Sequence, residues 1–544
     1  MPAGPARSCG GLIVRGTPQL APQAAHHRYE ETSEILFMPS HFTLNFPLLD
    51  PVRRALPNGQ VVYLVGGAVR DQLLGRSSHD LDFVVERNAI KLARRVADSL
   101  NGDFYALDPG RDTGRVIVTG QDGKRTVMDF AAFRGPDLEA DLIGRDFTLN
   151  AMAIDLADTT IHDPLGGVQD LKEKRLRFCT SSTFSDDPVR ILRGVRISIN
   201  YGFHILPDTR KAMKAAASRL GNISPERLRD ELFRTLDGIQ PEACLRALDR
   251  LGALEVVLPE LSALKGVEQS EPHIHDVWEH TLAVVGWLES ILVALAPTYD
   301  PETAGGLFNG LLVLQLGRFR QQLGEALATP LTADRTQRSL LFLSALYHDI
   351  SKPHAGRLDE DGRLRFRDHD QQGADVAAAR GRQLALSNDE IQRLDVVIRN
   401  HMRVLYHTSR LVKEQKSPSR RAVYRFYRDT GAAGVDVCLL ALADLRATYE
   451  ETLPQETWAA CLAVVRILLE NWYEKPAESI TPPSLLDGDD LMRELDLQPG
   501  KQIGDLLEVI REAQAMGEVT TAGQALELAR KRMTRGAALS AEEV

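Results

Sequence analysis

The stretch that most restricts what this chain can fold into is VVYLVGGAVRDQLLGRSSHDLDFVV, residues 61–85. Its apolar, β-branched opening, residues 61–65, reads as a buried strand. Gly66 and Gly67 end that strand, residues 68–74 have helical character, and residues 81–85 read as a second strand led by Asp80 and Asp82. Two glycines at a strand-to-helix turn let backbone N–H groups approach a polyphosphate, and the helix N-terminus adds favourable partial charge. Residues two apart in a strand face the same side, so Asp80 and Asp82 project together. Paired carboxylates are hard oxygen ligands suited to Mg²⁺. Either feature alone is ordinary: a GG pair makes turns, and a DxD pair often ends a solvated strand. Side by side they put a phosphate cradle next to a metal-holding pair, the equipment of nucleotidyl transfer.

At 544 residues the chain is too long for one core and implies roughly three or four domains. With 43% hydrophobic and 26% charged residues it has the composition of a soluble globular protein. No apolar run of about 18 residues is evident, which argues against a membrane span. Cys9, Cys179, Cys244, Cys438 and Cys461 are scattered and odd in number, without a CxxC spacing. They fit free thiols in a reducing, cytoplasmic setting, not a disulfide frame or a zinc site. A net charge of −10 confines any nucleic-acid surface to a local patch. Residues 1–45 are rich in Pro, Ala and Gly and lack a secretory apolar core, so they read as a disordered extension.

Further along, residues 88–100 read as an amphipathic helix, followed by strand-like pieces at 104–107, 115–119 and 126–130. Together these form a compact α+β head with a mixed sheet. Asp129, in the last strand, either supplies a third carboxylate beside Asp80 and Asp82 or faces water; the sequence leaves both open. The segment DPGRDTGR, residues 108–115, suits a mobile loop near a polyanion. The chain then turns helical. Asp187, Arg190, Arg193 and Arg196 recur every third position, which lines one acid and three bases along a helix. Such a row is either a salt-bridged solvated face or a base reader. Asp only accepts and Arg only donates. Cytosine and adenine each offer an amine beside a ring acceptor and match such a pair; guanine and uracil do not.

The order GGxVRDxLLG then DxD resembles the first motif of class II tRNA nucleotidyltransferases, the CCA-adding enzymes, and of the related bacterial poly(A) polymerases. DLIGRDFTLNAMAID, residues 141–155, resembles their second motif, usually RRDFTxNAMA. That resemblance implies that Arg145, Asp146 and Asn150 engage triphosphate and ribose; the first arginine of the doublet is Gly144 here. HDPLGGVQDLKEKRLR, residues 162–177, looks like the linker that ends the head. DDPVRILRGVR resembles the EDxxR motif in which protein replaces a nucleic-acid template, with Asp186 in place of Glu and Asp187 and Arg190 intact. The resemblance implies that Arg193 and Arg196 complete the nucleotide pocket. SPERLRDEL, residues 224–232, resembles the next motif, with Ser224 as N-cap and Pro225 at the first helical position. Then His280, His348-Asp349, His369, His401 and Asp444 follow in the order of an HD domain, in which such residues converge on one or two metal ions. Residues 413–428 interleave arginines with Tyr424, Phe426 and Tyr427, facing RNA or packing as an amphipathic helix. Beyond Pro482 and Pro483 the chain is similar to the family's helical tRNA-gripping tail, with Gly488 and Gly504 near helix starts.

The resemblance spans roughly residues 47–535. It implies a multidomain α+β protein: an extension (1–45), a nucleotidyltransferase head (46–178), a helical neck (179–262), an HD-containing helical body (263–475) and a helical tail (476–544). The implied activity is template-independent addition of CCA, or part of it, to tRNA 3′ ends from CTP and ATP. In it Asp80 and Asp82 hold Mg²⁺, with Asp129 as a third catalytic carboxylate. Gly66, Gly67, Arg70 and Arg145 position phosphates, and Asp187 and Arg190 select the base. A transition metal in the HD cluster is a further expectation; no membrane or protein partner is. The rivals are a poly(A) polymerase, a CC-only or A-only enzyme, an HD phosphohydrolase with a nucleotide-sensing head, and a non-catalytic RNA-binding protein.

Overall fold

The computed structural model describes residues 48–542 apart from 58, 79, 121–124 and 333–334, with side chains described to residue 534. The expected extension, residues 1–45, lies outside the described residues, as does Cys9. The remaining four cysteines are unpaired, and Cys244, Cys438 and Cys461 are buried.

The head is a seven-stranded mixed sheet flanked by helices. In chain order it runs α1 (Leu49–Ala55), β1 (Tyr63–Val65), α2 (Gly67–Leu73), β2 (Asp80–Val85), α3 (Ala89–Leu100), β3 (Asp103–Asp108), β4 (Thr113–Thr119), β5 (Arg125–Ala132), α4 (Leu138–Ile143), β6 (Ala153–Asp155), β7 (Ile161–His162) and α5 (Gly167–Lys172). The strand order is β3-β4-β5-β2-β1-β6-β7. Within this sheet, among the described residues, only β2 and β5 pair in parallel, and this sets Asp82 opposite Asp129. β4 runs antiparallel to β5 and places Arg115 opposite the same Asp129. Sequence reading missed β6 and β7, because Ala153–Asp155 and Ile161–His162 are too short to show a period of two. On β2, Leu81, Phe83, Val84 and Val85 are buried while Asp80 and Asp82 are open, the alternation expected of a strand with one face on a site.

The neck comprises α6 (Thr183–Asp186), α7 (Arg190–Tyr201), α8 (Pro207–Ala216) and α9 (Pro225–Leu236). Asp187 does not sit on a helix, in contrast to the expected four-residue row. It caps α6 in extended conformation (φ −147°, ψ 91°), and α7 begins only at Arg190. Ser224 does occupy the N-cap of α9, with Pro225 at N1, but its side chain makes no capping hydrogen bond.

The body is helical. Val277–Ala294 is long and apolar enough to cross a membrane, contrary to the sequence-based expectation of no such run. It is nonetheless a core helix, with 61% of it buried, and it packs along Gly434–Tyr449. Residues from Leu486 to Ala529 build a second, smaller core in the tail from Leu491, Ile503, Leu506 and Ile510. Gly488 starts a tail helix as expected, but Gly504 lies inside Lys501–Ala515, whose N-cap is Gly500.

The arginines after Ser419 stay exposed, and two of them pair with that tail, while the aromatics between them are buried. In the helix Arg420–Thr430, Tyr424 and Tyr427 are 3% and 2% exposed. Arg421 and Arg425 pair with Glu512 at 3.1 and 2.8 Å, and the Tyr424 hydroxyl donates to Glu508 at 3.1 Å.

Candidate active site

A cavity of about 330 Å³ opens between head and neck, with Gly66, Gly67, Asp82, Asp129 and Arg145 on its head side. Gly66 has φ +74°, a left-handed conformation that an L side chain adopts only with strain. A Cβ there would lie 3.2 Å from a guanidinium nitrogen of Arg145 and 3.3 Å from Asp82 Oδ2. The turn is thus bare where a carboxylate and a cation close on the backbone. Arg145 is held in place by Asp141, which is fully buried and accepts from its guanidinium at 2.9 Å.

Asp82 and Asp129 both face the cavity. Desolvation pushes the Asp82 carboxyl above its usual pKa; Arg145 opposes that, while Asp129 and Asp80 add to it. Crowded carboxylates of this kind fit a hard divalent cation, which reverses the sign of the local field. Asp129 is not free for that purpose alone: both its oxygens accept from Arg115, at 2.8 and 2.9 Å. Asp80 lies on the same exposed face of β2 but outside the cavity wall.

A polar relay ties the head to α7. Arg70 is 7% exposed and donates to Asn150 Oδ1 and to the Tyr201 hydroxyl, both at 2.8 Å. Asn150 donates to Asp146 Oδ1 at 3.0 Å, and Arg193 donates to Asp146 Oδ2 at 3.2 Å. Burial alone would raise the Asp146 pKa, but Arg193, the Asn150 amide and the Phe147 N–H outweigh it and hold it low. Asp146, Asn150 and Arg193 line the cavity; Arg70 sits behind them as their support. Arg196 is not on the wall either. It is paired with the buried Glu231 at 2.6 Å, and Glu231 also reaches Arg193 at 3.6 Å. Those two arginines hold Glu231 below the usual carboxylate range against its desolvation.

On the neck side, Asp187 and Arg190 meet the cavity together. Asp187 Oδ2 accepts from Arg227 at 2.7 Å, whereas Oδ1 is buried without a hydrogen-bond partner. A buried carboxylate oxygen lacking a donor is costly, and an amine brought by a ligand would satisfy it. Arg190 donates to the Gly144 carbonyl at 3.1 Å and the Arg145 carbonyl at 3.3 Å, which fixes it beside Asp187, 3.9 Å away.

The second cluster lies in the body. His280, His348 and Asp444 form one buried trio, and Asp349, His369 and His401 form another. Asp349 joins them: Oδ2 is 3.1 Å from His348 Nε2 and 3.6 Å from His280 Nε2, and Oδ1 is 3.3 Å from His369 Nε2. His348, His369 and His401 each donate Nδ1–H to a backbone carbonyl, of Ala345, Phe366 and Ile398. That leaves their Nε2 lone pairs pointing inward, the orientation of metal-ligating imidazoles. Burial holds the pKa of His280 below its usual value and that of His401 at about 4, so both stay neutral near pH 7. His280 Nε2 and His348 Nε2 are buried without hydrogen-bond partners, so the donor set fits a divalent metal. Lys352 Nζ stands 2.6 Å from Asp349 Oδ2.

Three family models match along the chain: "Poly A polymerase head domain" over residues 62–177, "Probable RNA and SrmB- binding site of polymerase A" over 202–265, and "HD domain" over 277–445. The CC-adding tRNA nucleotidyltransferase of Thermus thermophilus is 32% identical over 491 residues, which is 89% of this chain and 94% of that protein. This chain belongs to the tRNA nucleotidyltransferase family. A second relative, the A-adding tRNA nucleotidyltransferase of Deinococcus radiodurans, is 31% identical over 85% of this chain and 93% of its own length. A solved CCA-adding enzyme, apo form I, superposes with a TM-score of 0.52 at 21% identity, covering 88% of this chain and 92% of the other; it shares the fold.

For a tRNA nucleotidyltransferase, sequence reading omitted four groups around the cavity. Arg111, Arg134 and Arg227 line it, and Glu231 anchors two of the α7 arginines. Arg227 and Glu231 lie within SPERLRDEL, where their charge was the available signal. Arg111 lies within DPGRDTGR, whose composition pointed to a polyanion without singling it out, and Arg134 follows a strand end and carries no pattern of its own.

Proposed function

We propose that this enzyme adds nucleotides to the 3′ end of tRNA from CTP, ATP or both, releasing pyrophosphate and using its own side chains in place of a template. The observation that carries this reading is a single cavity holding the bare Gly66 turn, Asp82 and the Asp187–Arg190 pair. Gly66, Gly67 and Arg145 take the phosphates. Asp146 and Asn150 face the ribose. Asp187 Oδ1, the partnerless acceptor, receives the exocyclic amine of cytosine or adenine, and Arg190 faces the ring nitrogen beside it.

Asp80 and Asp82 would hold Mg²⁺, with Asp129 beside them. When bound, that ion neutralises the triphosphate and lowers the pKa of the attacking 3′ hydroxyl. The protein's own part is placement: Arg145 and the turn align the α-phosphate beside Asp82, and the Arg70–Asn150–Asp146–Arg193 relay keeps head and α7 in one geometry. In the body, His280, His348, Asp349, His369, His401 and Asp444 would hold one or two transition-metal ions.

Relatives that span most of this chain are named for CC addition and for A addition, which supports partial CCA synthesis here. Pyrophosphate release from CTP or ATP that requires both tRNA and Mg²⁺, and is lost in Asp82→Asn, is the expected result. Release that is indifferent to tRNA counts against the reading.

A further inference from the structure

Six arginines line the nucleotide cavity, and five of them are already committed to protein acceptors. Arg145 is bound by Asp141, Arg193 by Asp146 and Arg227 by Asp187; Arg190 donates to three carbonyls, and Arg111 stands 3.7 Å from Asp108. Arg134 differs. Its backbone N–H donates to Asp141 Oδ1 at 3.0 Å, but its guanidinium has no hydrogen bond or ion pair among the described residues. It is also the least comfortable cation of the set. Desolvation and then the fields of Arg145, Arg190 and Arg111 depress its pKa, with only Asp141 opposing. A planar cation left unpaired among like charges is arranged for a polyanion.

Arg134 shares Asp141 with Arg145: the carboxylate takes the main-chain N–H of one and the guanidinium of the other. Arg145 in turn lies against the Gly66 turn.

We infer that Arg134 binds the polyphosphate of the incoming nucleoside triphosphate. The inference rests on the nucleotide-transfer reading above. One charge-assisted contact to phosphate corresponds to on the order of ten- to a hundred-fold in affinity.

The test is equilibrium binding of Mg²⁺-CTP, Mg²⁺-ATP, CMP and tRNA, each measured separately on the whole protein, for wild type, Arg134→Ala and Arg134→Lys. The expected result is a CTP affinity at least ten-fold weaker in Arg134→Ala, with CMP and tRNA affinities unchanged and an intermediate CTP affinity in Arg134→Lys, which keeps the charge and loses the planar fork. An unchanged CTP/CMP ratio, or a loss confined to tRNA, overturns the phosphate assignment. Arg134→Lys that binds CTP no better than Arg134→Ala overturns the role given to its charge. Wild type that binds neither CTP nor ATP overturns the nucleotide-transfer reading and this inference with it. Matching thermal midpoints for the three proteins exclude a folding defect as the cause of any loss.

Discussion

Asp82 and Asp129 face each other across parallel strands but are differently placed for chemistry. Asp129 has both oxygens bound by Arg115, whereas Asp82 has the crowded, destabilised carboxylate. Asp82→Asn is therefore expected to lower the single-turnover rate by about a thousand-fold or more, since loss of a metal ligand removes several kcal/mol of transition-state stabilisation. Retention of near-normal turnover would remove the metal site from Asp82. A second prediction concerns Arg227, whose hydrogen bond holds Asp187 Oδ2 and leaves Oδ1 for the base. Releasing that carboxylate in Arg227→Ala should raise UTP incorporation relative to CTP even as the overall rate falls, because discrimination depends on fixed, buried polar partners. An equal loss on all nucleotides would reduce Arg227 to a general electrostatic role. At Arg196 the structure departs from expectation: its partner is Glu231 and not the nucleotide pocket, so Arg196→Ala should act through stability.

Among the elements, α7 and α9 are joined by the buried Glu231, which takes Arg196 and Arg193 together. Removing one partner of a buried pair costs about 3 kcal/mol, so Glu231→Gln should lower the thermal midpoint by several degrees at pH 7. Its pKa is depressed from 4.5 in the folded state. The stabilisation is accordingly present above the unfolded value and lost as pH falls through the lower folded one. Wild type should lose stability on acidification below about pH 4.5, and Glu231→Gln should lose less over that interval. Identical acid slopes would show that Glu231 is not the group responsible. In the body, His348→Ala should strip bound transition metal, read by elemental analysis, and leave tRNA extension nearly unchanged. Wild type that carries no metal while folded would make the six-residue cluster a structural network only.

Across the whole molecule, what the sequence made legible followed from local chemistry. The Gly66 turn, the alternation on β2 and the helix after Asn88 are each dictated within a few residues. What it hid was set by partners far away in the chain. Nothing near Arg425 announces Glu512, so the pairing of that basic row with the tail was not legible. Arg70 looked like a phosphate ligand until Asn150 and Tyr201, many residues downstream, were seen to take its donors. The helix Val277–Ala294 passed for nothing unusual because His280 and two glutamates interrupt its apolar run. The central claim is that the protein chooses the base, and it is tested most directly by product sequencing. Purified enzyme is incubated with tRNA ending at its discriminator base and offered CTP, ATP, UTP and GTP singly and together, and the new 3′ ends are read. The account predicts addition of C, A or both, in a fixed number and order, with U and G excluded. Ends that carry U or G as readily as C or A, or tRNA that is never extended, would contradict it.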